Sequence, residues 1–186
     1  MKEIVRPTGN AQKAVKLAMD RAGAEGRPVR VLFVCLGNIC RSPAAEGVMR
    51  ELTKCLPDSI RPELDSAGFY GGHAGELPDS RMRHAAFGRG LRLEHRSRKI
   101  RSLDFDYYDL LIGMDANNLS DLHDLAPTVE DESRIASMID FAPHYPEYDS
   151  VPDPYWEGAA GFEIVLNLLE DACAGLYKEM GLDKQP

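Results

Sequence analysis

In the stretch VLFVCLGNICRSPAAEG, residues 31–47, Cys35 closes an apolar run, and Arg41 and Ser42 follow it after a spacer of five residues. A cysteine buried only for packing has no need of such neighbours. A thiol that reacts with an anion does. Ser42 is a good N-cap and Pro43 suits the first helical position, so the loop leads into a helix N-terminus. Backbone N–H groups converge there, and the helix dipole favours negative charge. That field and the Arg41 guanidinium favour the thiolate form of Cys35, which is the nucleophile. Arg41 also presents a planar fork able to hold two phosphate oxygens. Gly37 and Asn38 tolerate the left-handed backbone of a tightly curled cradle. The Ser42 hydroxyl can donate to the thiolate and ease its later departure. C-x5-R alone is a short pattern; its place between a buried strand and a capped helix makes it specific.

The elements that position this loop are legible from periodicity. VRVLFV reads as a strand covered on both faces, and SPAAEGVMRELTKCL as the helix after it. ELDSAG, YDLLIGMD and SRIASMIDF read as further strands, DSRMRHAAFGRG and ANNLSDLHDL as helices. GFEIVLNLLEDACAGLYKEMG closes the chain as an amphipathic helix with Phe162, Val165, Leu166, Leu169, Cys173 and Leu176 on one side. Strands alternating with helices predict a parallel α/β sheet, whose ligands bind beyond the carboxyl ends of its strands. Cys35 stands at such an end. Residues 1–28 read as an N-terminal extension, one helix capped at Asn10, ahead of a domain over residues 29–186.

Composition narrows the function. A net charge of −8 argues against general nucleic-acid binding. No apolar run reaches the length of a membrane span, and MKEIVRPTGN lacks a secretory core, so a cytoplasmic protein with no membrane partner is expected. Cys35, Cys40, Cys55 and Cys173 read as free thiols rather than disulfides, and no paired motif suggests a metal. Cys55 and Cys173 fall on apolar helix faces and are expected in the core. Residues 81–101 carry eight Arg or Lys and one acid, Glu94; residues 104–157 carry fourteen acids and one base, Arg134. Two solvated faces of opposite charge account for this, and a basic patch for an acidic partner is the sharper alternative.

VLFVCLGNICRSPAAEGVMR resembles the signature of the low-molecular-weight protein tyrosine phosphatases. The similarity continues through DSAG, FDYYDLLIGMDANNLSDL and VPDPYWEGAAGFEIVLNLLEDAC, and spans residues 29–180. The resemblance implies a three-layer α/β fold: a four-stranded parallel twisted sheet, helices on both faces, and a phosphate-binding loop after the first strand. It also implies hydrolysis of phosphotyrosine in protein substrates through a phosphocysteine on Cys35, releasing inorganic phosphate, without cofactor or metal. Arg41 and the loop amides of Leu36, Gly37, Asn38, Ile39, Cys40 and Ser42 would bind the phosphoryl group. Asp153 would protonate the phenolic oxygen and then activate water. An acid suits that place on its own terms, because a phenolate leaves poorly and a thiolate has no proton to give. Pro152 and Pro154 stiffen its backbone.

By the same resemblance Asn38, Ser42, Ser66 and His95 hold the loop in shape, and Tyr155 and Trp156 wall the pocket. Cys40 is then the redox partner of the nucleophile; a small buried hydrophobe is the plain reading. Asp115 and Asn118 read as helix caps. Gly72 stands where many relatives carry a pocket aromatic, with Phe69 and Tyr70 as possible substitutes. Protein arginine phosphatase, arsenate reductase of the same fold, a cysteine phosphocarrier and a non-catalytic phosphoprotein-binding module are the competing readings. Downstream relay cysteines for the reductase are missing between Cys55 and Cys173, and Ile39 stands where arginine phosphatases typically carry threonine. A monomer or weak dimer is expected.

Overall fold

The computed structural model describes residues 5–184. Its centre is strand β1 (Arg30–Cys35), flanked by β2 (Glu63–Gly68) and β3 (Leu110–Gly113), with β4 (Ile135–Ser137) beyond β3. All pairings are parallel and the order is β2-β1-β3-β4, as the alternation of strand and helix patterns predicts. Successive β1 side chains face opposite layers. Val31, Phe33 and Cys35 join one core, Leu32 and Val34 the other. Both layers are helical, which explains why the strand is apolar at every position after Arg30.

Helices α2 (Arg41–Thr53), α3 (Ser80–Phe87) and α7 (Ala159–Glu179) pack into the larger core. Phe162, Val165, Leu166, Leu169, Cys173 and Leu176 of α7 are all buried in it. The smaller core lies under α4 (Asp104–Tyr107) and α5 (Ala116–Leu125), centred on Phe105, Leu111 and Leu122. A short α6 (Val129–Glu132) leads into β4. The last strand is shorter than SRIASMIDF suggested: Met138–Phe141 tightens into a 3-10 turn under α7. There Gly175 of α7 passes so close to Phe141 that a Cβ would stand 2.0 Å from its carbonyl oxygen.

The N-terminal segment packs into the domain. Helix α1 (Gly9–Ala24) is capped by Thr8, whose hydroxyl accepts from the Ala11 amide at 3.3 Å, and not by Asn10, which is exposed in its first turn. Ala11, Ala14, Val15, Ala18 and Ala22 line one stripe at helical spacing and enter the main core. Beyond its C-terminus, Arg27 makes a two-pronged ion pair at 2.7 and 3.0 Å with the buried Asp109 at the start of β3. Asp109 also accepts the Arg30 amide at 2.8 Å, so one carboxylate joins the extension to the central strand.

Gly175→Ala is expected to lower unfolding free energy by about 2–3 kcal/mol, because the new methyl meets backbone that cannot give way. Urea denaturation checks this; an unchanged midpoint would mean that α7 and the 138–141 turn are not held at this distance.

Candidate active site

Five residues, 36–40, separate the end of β1 from the start of α2, and three of their carbonyls are bonded to neighbouring segments. Leu36 O accepts from the Tyr70 amide at 2.8 Å, Ile39 O from the Asp79 amide at 2.7 Å, and Gly37 O from the Ser97 hydroxyl at 3.3 Å. Across a planar trans peptide the next N–H points the opposite way, so the amides of Gly37, Asn38 and Cys40 turn toward the inside of the loop. Asn38 adopts the left-handed region, φ 54°. Gly68 lies directly beneath: a Cβ there would stand 2.6 Å from Leu36 O and 2.9 Å from the Asn38 amide nitrogen.

Asn38 is wholly buried, and its amide group is the knot of a network. Its Nδ2 donates to Ser42 Oγ at 2.9 Å and to Ser66 Oγ at 3.0 Å. Its Oδ1 accepts from the Arg98 amide at 2.9 Å and pairs with His95 Nε2 at 3.0 Å. Ser66 Oγ in turn donates to Glu46 Oε2 at 2.7 Å. Thus Ser66 and His95, distant in sequence, come together with Asn38 and Ser42 behind the loop. Ser42 does not cap the helix as its type suggested. Cys40 takes the flanking position without a side-chain bond, α2 begins at Arg41, and Pro43 is its third residue. The Ser42 hydroxyl instead lies 3.0 Å from Cys35 Sγ, which also accepts from the Asn38 amide at 3.3 Å.

Arg41 is buried, with its guanidinium between the loop and two carboxylates. Nη1 donates to Asp115 Oδ2 at 2.6 Å and to Val151 O at 3.1 Å; Nη2 meets Asp153 Oδ2 at 3.4 Å. Burial works against its charge, but Cys35, Asp115 and Asp153 together hold its pKa above the ordinary arginine value. Asp153 is oriented by the Tyr155 amide, which donates to Oδ1 at 3.1 Å. Cys35, Ile39, Cys40, Arg41 and Asp153 line one cavity of about 370 Å³, walled by Tyr70, His73, Tyr155 and Trp156. Tyr155 and Trp156 meet edge to face at 5.0 Å, and Tyr70 meets His73 likewise at 5.3 Å. Two larger surface hollows exist, but neither touches Cys35.

Three participants were missed or half-seen. Asp115 does cap α5, accepting from the Asn118 amide at 2.9 Å, and with its other oxygen holds Arg41. Its place just after β3, at a strand's carboxyl end, was the available signal. Tyr70 supplies the aromatic wall absent at Gly72. His73 carried no spacing signal; only the turn at Gly71–His73 brings it to the cavity. Cys55 is exposed, contrary to its expected place in the core, because α2 ends at Thr53 and leaves it outside. Cys173 is buried, and burial pushes its thiol pKa up, as it does for Cys40. The basic segment is partly neutralised within the molecule: Arg81 pairs with Asp79, Arg89 with Glu163 and Glu170, Arg98 with Asp65 and Asp104.

One cluster among the described residues has donors suited to a cation, Glu46, Asp65 and His95. Its atoms are already engaged. Arg50 and Ser66 bind Glu46, Arg98 and Tyr108 bind Asp65, and His95 lies between the two carboxylates at 3.2 and 3.4 Å. It therefore braces Ser66 and Asn38 from behind.

Residues 30–186 match the family model described as low molecular weight phosphotyrosine protein phosphatase. A putative low molecular weight protein-tyrosine-phosphatase of Synechocystis is 39% identical, with 82% of this chain and 97% of that protein covered. The low molecular weight protein-tyrosine-phosphatase YfkJ of Bacillus subtilis is 36% identical over 84% of this chain and 99% of its own length. Among solved structures, a protein tyrosine phosphatase from Entamoeba histolytica with Hepes in its active site superimposes with a TM-score of 0.78 at 39% identity, covering 84% of this chain and 99% of its own. A Drosophila arginine phosphatase superimposes with a TM-score of 0.72 at 30% identity, covering 80% of this chain and 95% of its own.

Asn38→Ala removes four hydrogen bonds and leaves a left-handed position to a residue that resists it. Inorganic phosphate should then bind about tenfold or more weakly, with stability lower by about 2–4 kcal/mol. Competition titration and urea denaturation measure the two losses; phosphate affinity equal to wild type would remove Asn38 from the loop's support.

Proposed function

The chain belongs to the low molecular weight phosphotyrosine protein phosphatase family, and from that premise we propose that it hydrolyses phosphotyrosine through a phosphocysteine on Cys35, with Asp153 as general acid and base. The observation that carries this reading is the meeting of four groups at one cavity: Cys35 Sγ, the loop amides, the Arg41 guanidinium and the Asp153 carboxyl.

The phosphate monoester enters with its oxygens on the inward amides and on Arg41. Nη2 of Arg41 exchanges its long contact with Asp153 for a phosphate oxygen, which frees the carboxyl group to face the ester oxygen. Cys35 Sγ attacks phosphorus opposite the phenolic oxygen. The S–P bond forms, the P–O bond breaks, and Asp153 delivers its proton to the departing oxygen. Amides and guanidinium hold the charge on the equatorial oxygens at the transition state, where preorganised donors contribute most. Asp153, now a carboxylate, takes a proton from water as that water attacks phosphorus. The S–P bond breaks, inorganic phosphate leaves, and the thiolate departs toward the Ser42 hydroxyl and the Asn38 amide.

The walls favour an aryl ester. Tyr70, Tyr155 and Trp156 offer ring faces and edges to a phenyl ring at the mouth, and Ile39 adds apolar surface where a guanidinium would need a polar partner. We place the reaction in the cytoplasm, where Cys35 and its buried neighbour Cys40 stay reduced. Phosphoarginine is the second substrate worth testing, given the likeness to the Drosophila arginine phosphatase.

Cys35→Ser is expected to abolish hydrolysis of p-nitrophenyl phosphate in the presence of EDTA. Asp153→Asn should lower kcat/KM by about 10²–10³-fold with binding of phosphate retained. Rapid quenching of wild type should trap a phosphoenzyme that Cys35→Ser does not form. Activity surviving in Cys35→Ser would overturn the covalent mechanism. On matched peptides, phosphotyrosine is expected to exceed phosphoarginine in kcat/KM; the reverse order would reassign the substrate.

A further inference from the structure

The segment before residue 30 lies outside the family match, yet it reaches the acid loop. Arg6, two residues ahead of the α1 cap, points its guanidinium at three backbone carbonyls. Nη1 donates to Ala142 O at 3.1 Å and to Tyr145 O at 2.7 Å, and Nη2 to Tyr148 O at 2.6 Å. Thr8 reinforces the attachment: its amide donates to Asp140 O at 3.3 Å and its hydroxyl to Asp140 Oδ2 at 3.0 Å. The other end of α1 is fixed as well, by Arg21 on the carbonyls of Phe105, Asp106 and Tyr108. Arg6 therefore projects from a helix anchored at both ends.

The segment it grips runs from the 138–141 turn to Asp153. It has no regular structure after Phe141, and four prolines between residues 143 and 154 remove backbone donors. Its carbonyls must find partners elsewhere. The Arg6 fork supplies them to three, and a planar guanidinium fixes their relative directions where a flexible ammonium would not. Other tethers hold the same loop: the His144 amide and Nδ1 on Asp171 at 3.0 and 2.6 Å, the Val151 amide on Met114 O at 2.9 Å, and Arg41 Nη1 on Val151 O at 3.1 Å. The Arg6 tether, with that of Thr8 on Asp140, comes from outside the region matched to the family.

We propose that Arg6 is a positioning residue for Asp153: a clamp on the root of the acid loop that holds the carboxyl group where the leaving oxygen arrives. The proposal rests on the reading of Asp153 as general acid. A misplaced acid harms poor leaving groups most, because they depend on the proton. A loop fixed by Arg6 should also hold Trp156 still; it is the chain's single tryptophan, 90% exposed and three residues past Asp153.

The experiment compares Arg6→Ala, Arg6→Lys, Asp153→Asn and Arg6→Ala/Asp153→Asn on phenyl phosphate and p-nitrophenyl phosphate, with tryptophan anisotropy decay on each protein. Arg6→Ala is expected to lower kcat/KM about tenfold for phenyl phosphate and less than about twofold for p-nitrophenyl phosphate. Fast depolarisation of Trp156 should increase, Arg6→Lys should fall between, and Arg6→Ala should add no leaving-group dependence to Asp153→Asn. Equal losses on both substrates, or an unchanged anisotropy decay, would overturn the role of Arg6. If Asp153→Asn itself leaves the leaving-group dependence unchanged, the general-acid reading fails first, and the anisotropy still reports whether Arg6 holds the loop. Should Arg6→Ala melt below the assay temperature, Arg6→Lys carries the same comparisons.

Discussion

The buried side chain of Asn38 is the constraint on which the site depends. Its backbone sits in the left-handed region, at a cost of roughly 1 kcal/mol for a residue that bears a Cβ. Four hydrogen bonds from its amide group, each worth about 0.5–1.5 kcal/mol net, outweigh that strain. Because those bonds reach Ser42, Ser66, His95 and the Arg98 amide, the loop's curvature is set by three separate parts of the chain. Glycine at position 38 would relax the backbone and leave the knot untied.

Charge is arranged with similar economy. Arg41 is surrounded by Asp115, Asp153 and the Val151 carbonyl, so its guanidinium is aimed before any anion arrives. Asp115 holds it at 2.6 Å through Nη1. The contact with Asp153 is longer, 3.4 Å, and is the weaker of the two. A buried arginine without such partners would be costly in the empty site.

Much of this was legible in the sequence because it is local or periodic. The α/β alternation, the apolar β1, the amphipathic α7 and the loop around Cys35 all follow from short windows. The pairing of Asn38 with His95, or of Arg41 with Asp115, spans 57 and 74 residues and leaves no local trace beyond residue type. Ser42 shows the limit most clearly. Its type and place signal an N-cap, yet its hydroxyl turns to Cys35 because the helix begins two residues earlier than that cap would set it. The burial of the N-terminal helix is hard to see in the sequence for a related reason: an alanine stripe has a weak apolar signal, and its depth depends on how closely small side chains let α1 approach the sheet.

The strand order has a consequence for how the molecule comes into being. β1 lies first among the sheet strands in the chain but second in space, between β2 and β3, and β3 begins only at Leu110. During synthesis, the central strand emerges long before its second neighbour and waits with one edge bare. The acid loop and α7 emerge later still. A ribosome therefore releases Cys35 and Arg41 together but well ahead of Asp115 and Asp153, and the guanidinium of a nascent chain finds its carboxylate partners only once those later segments have emerged.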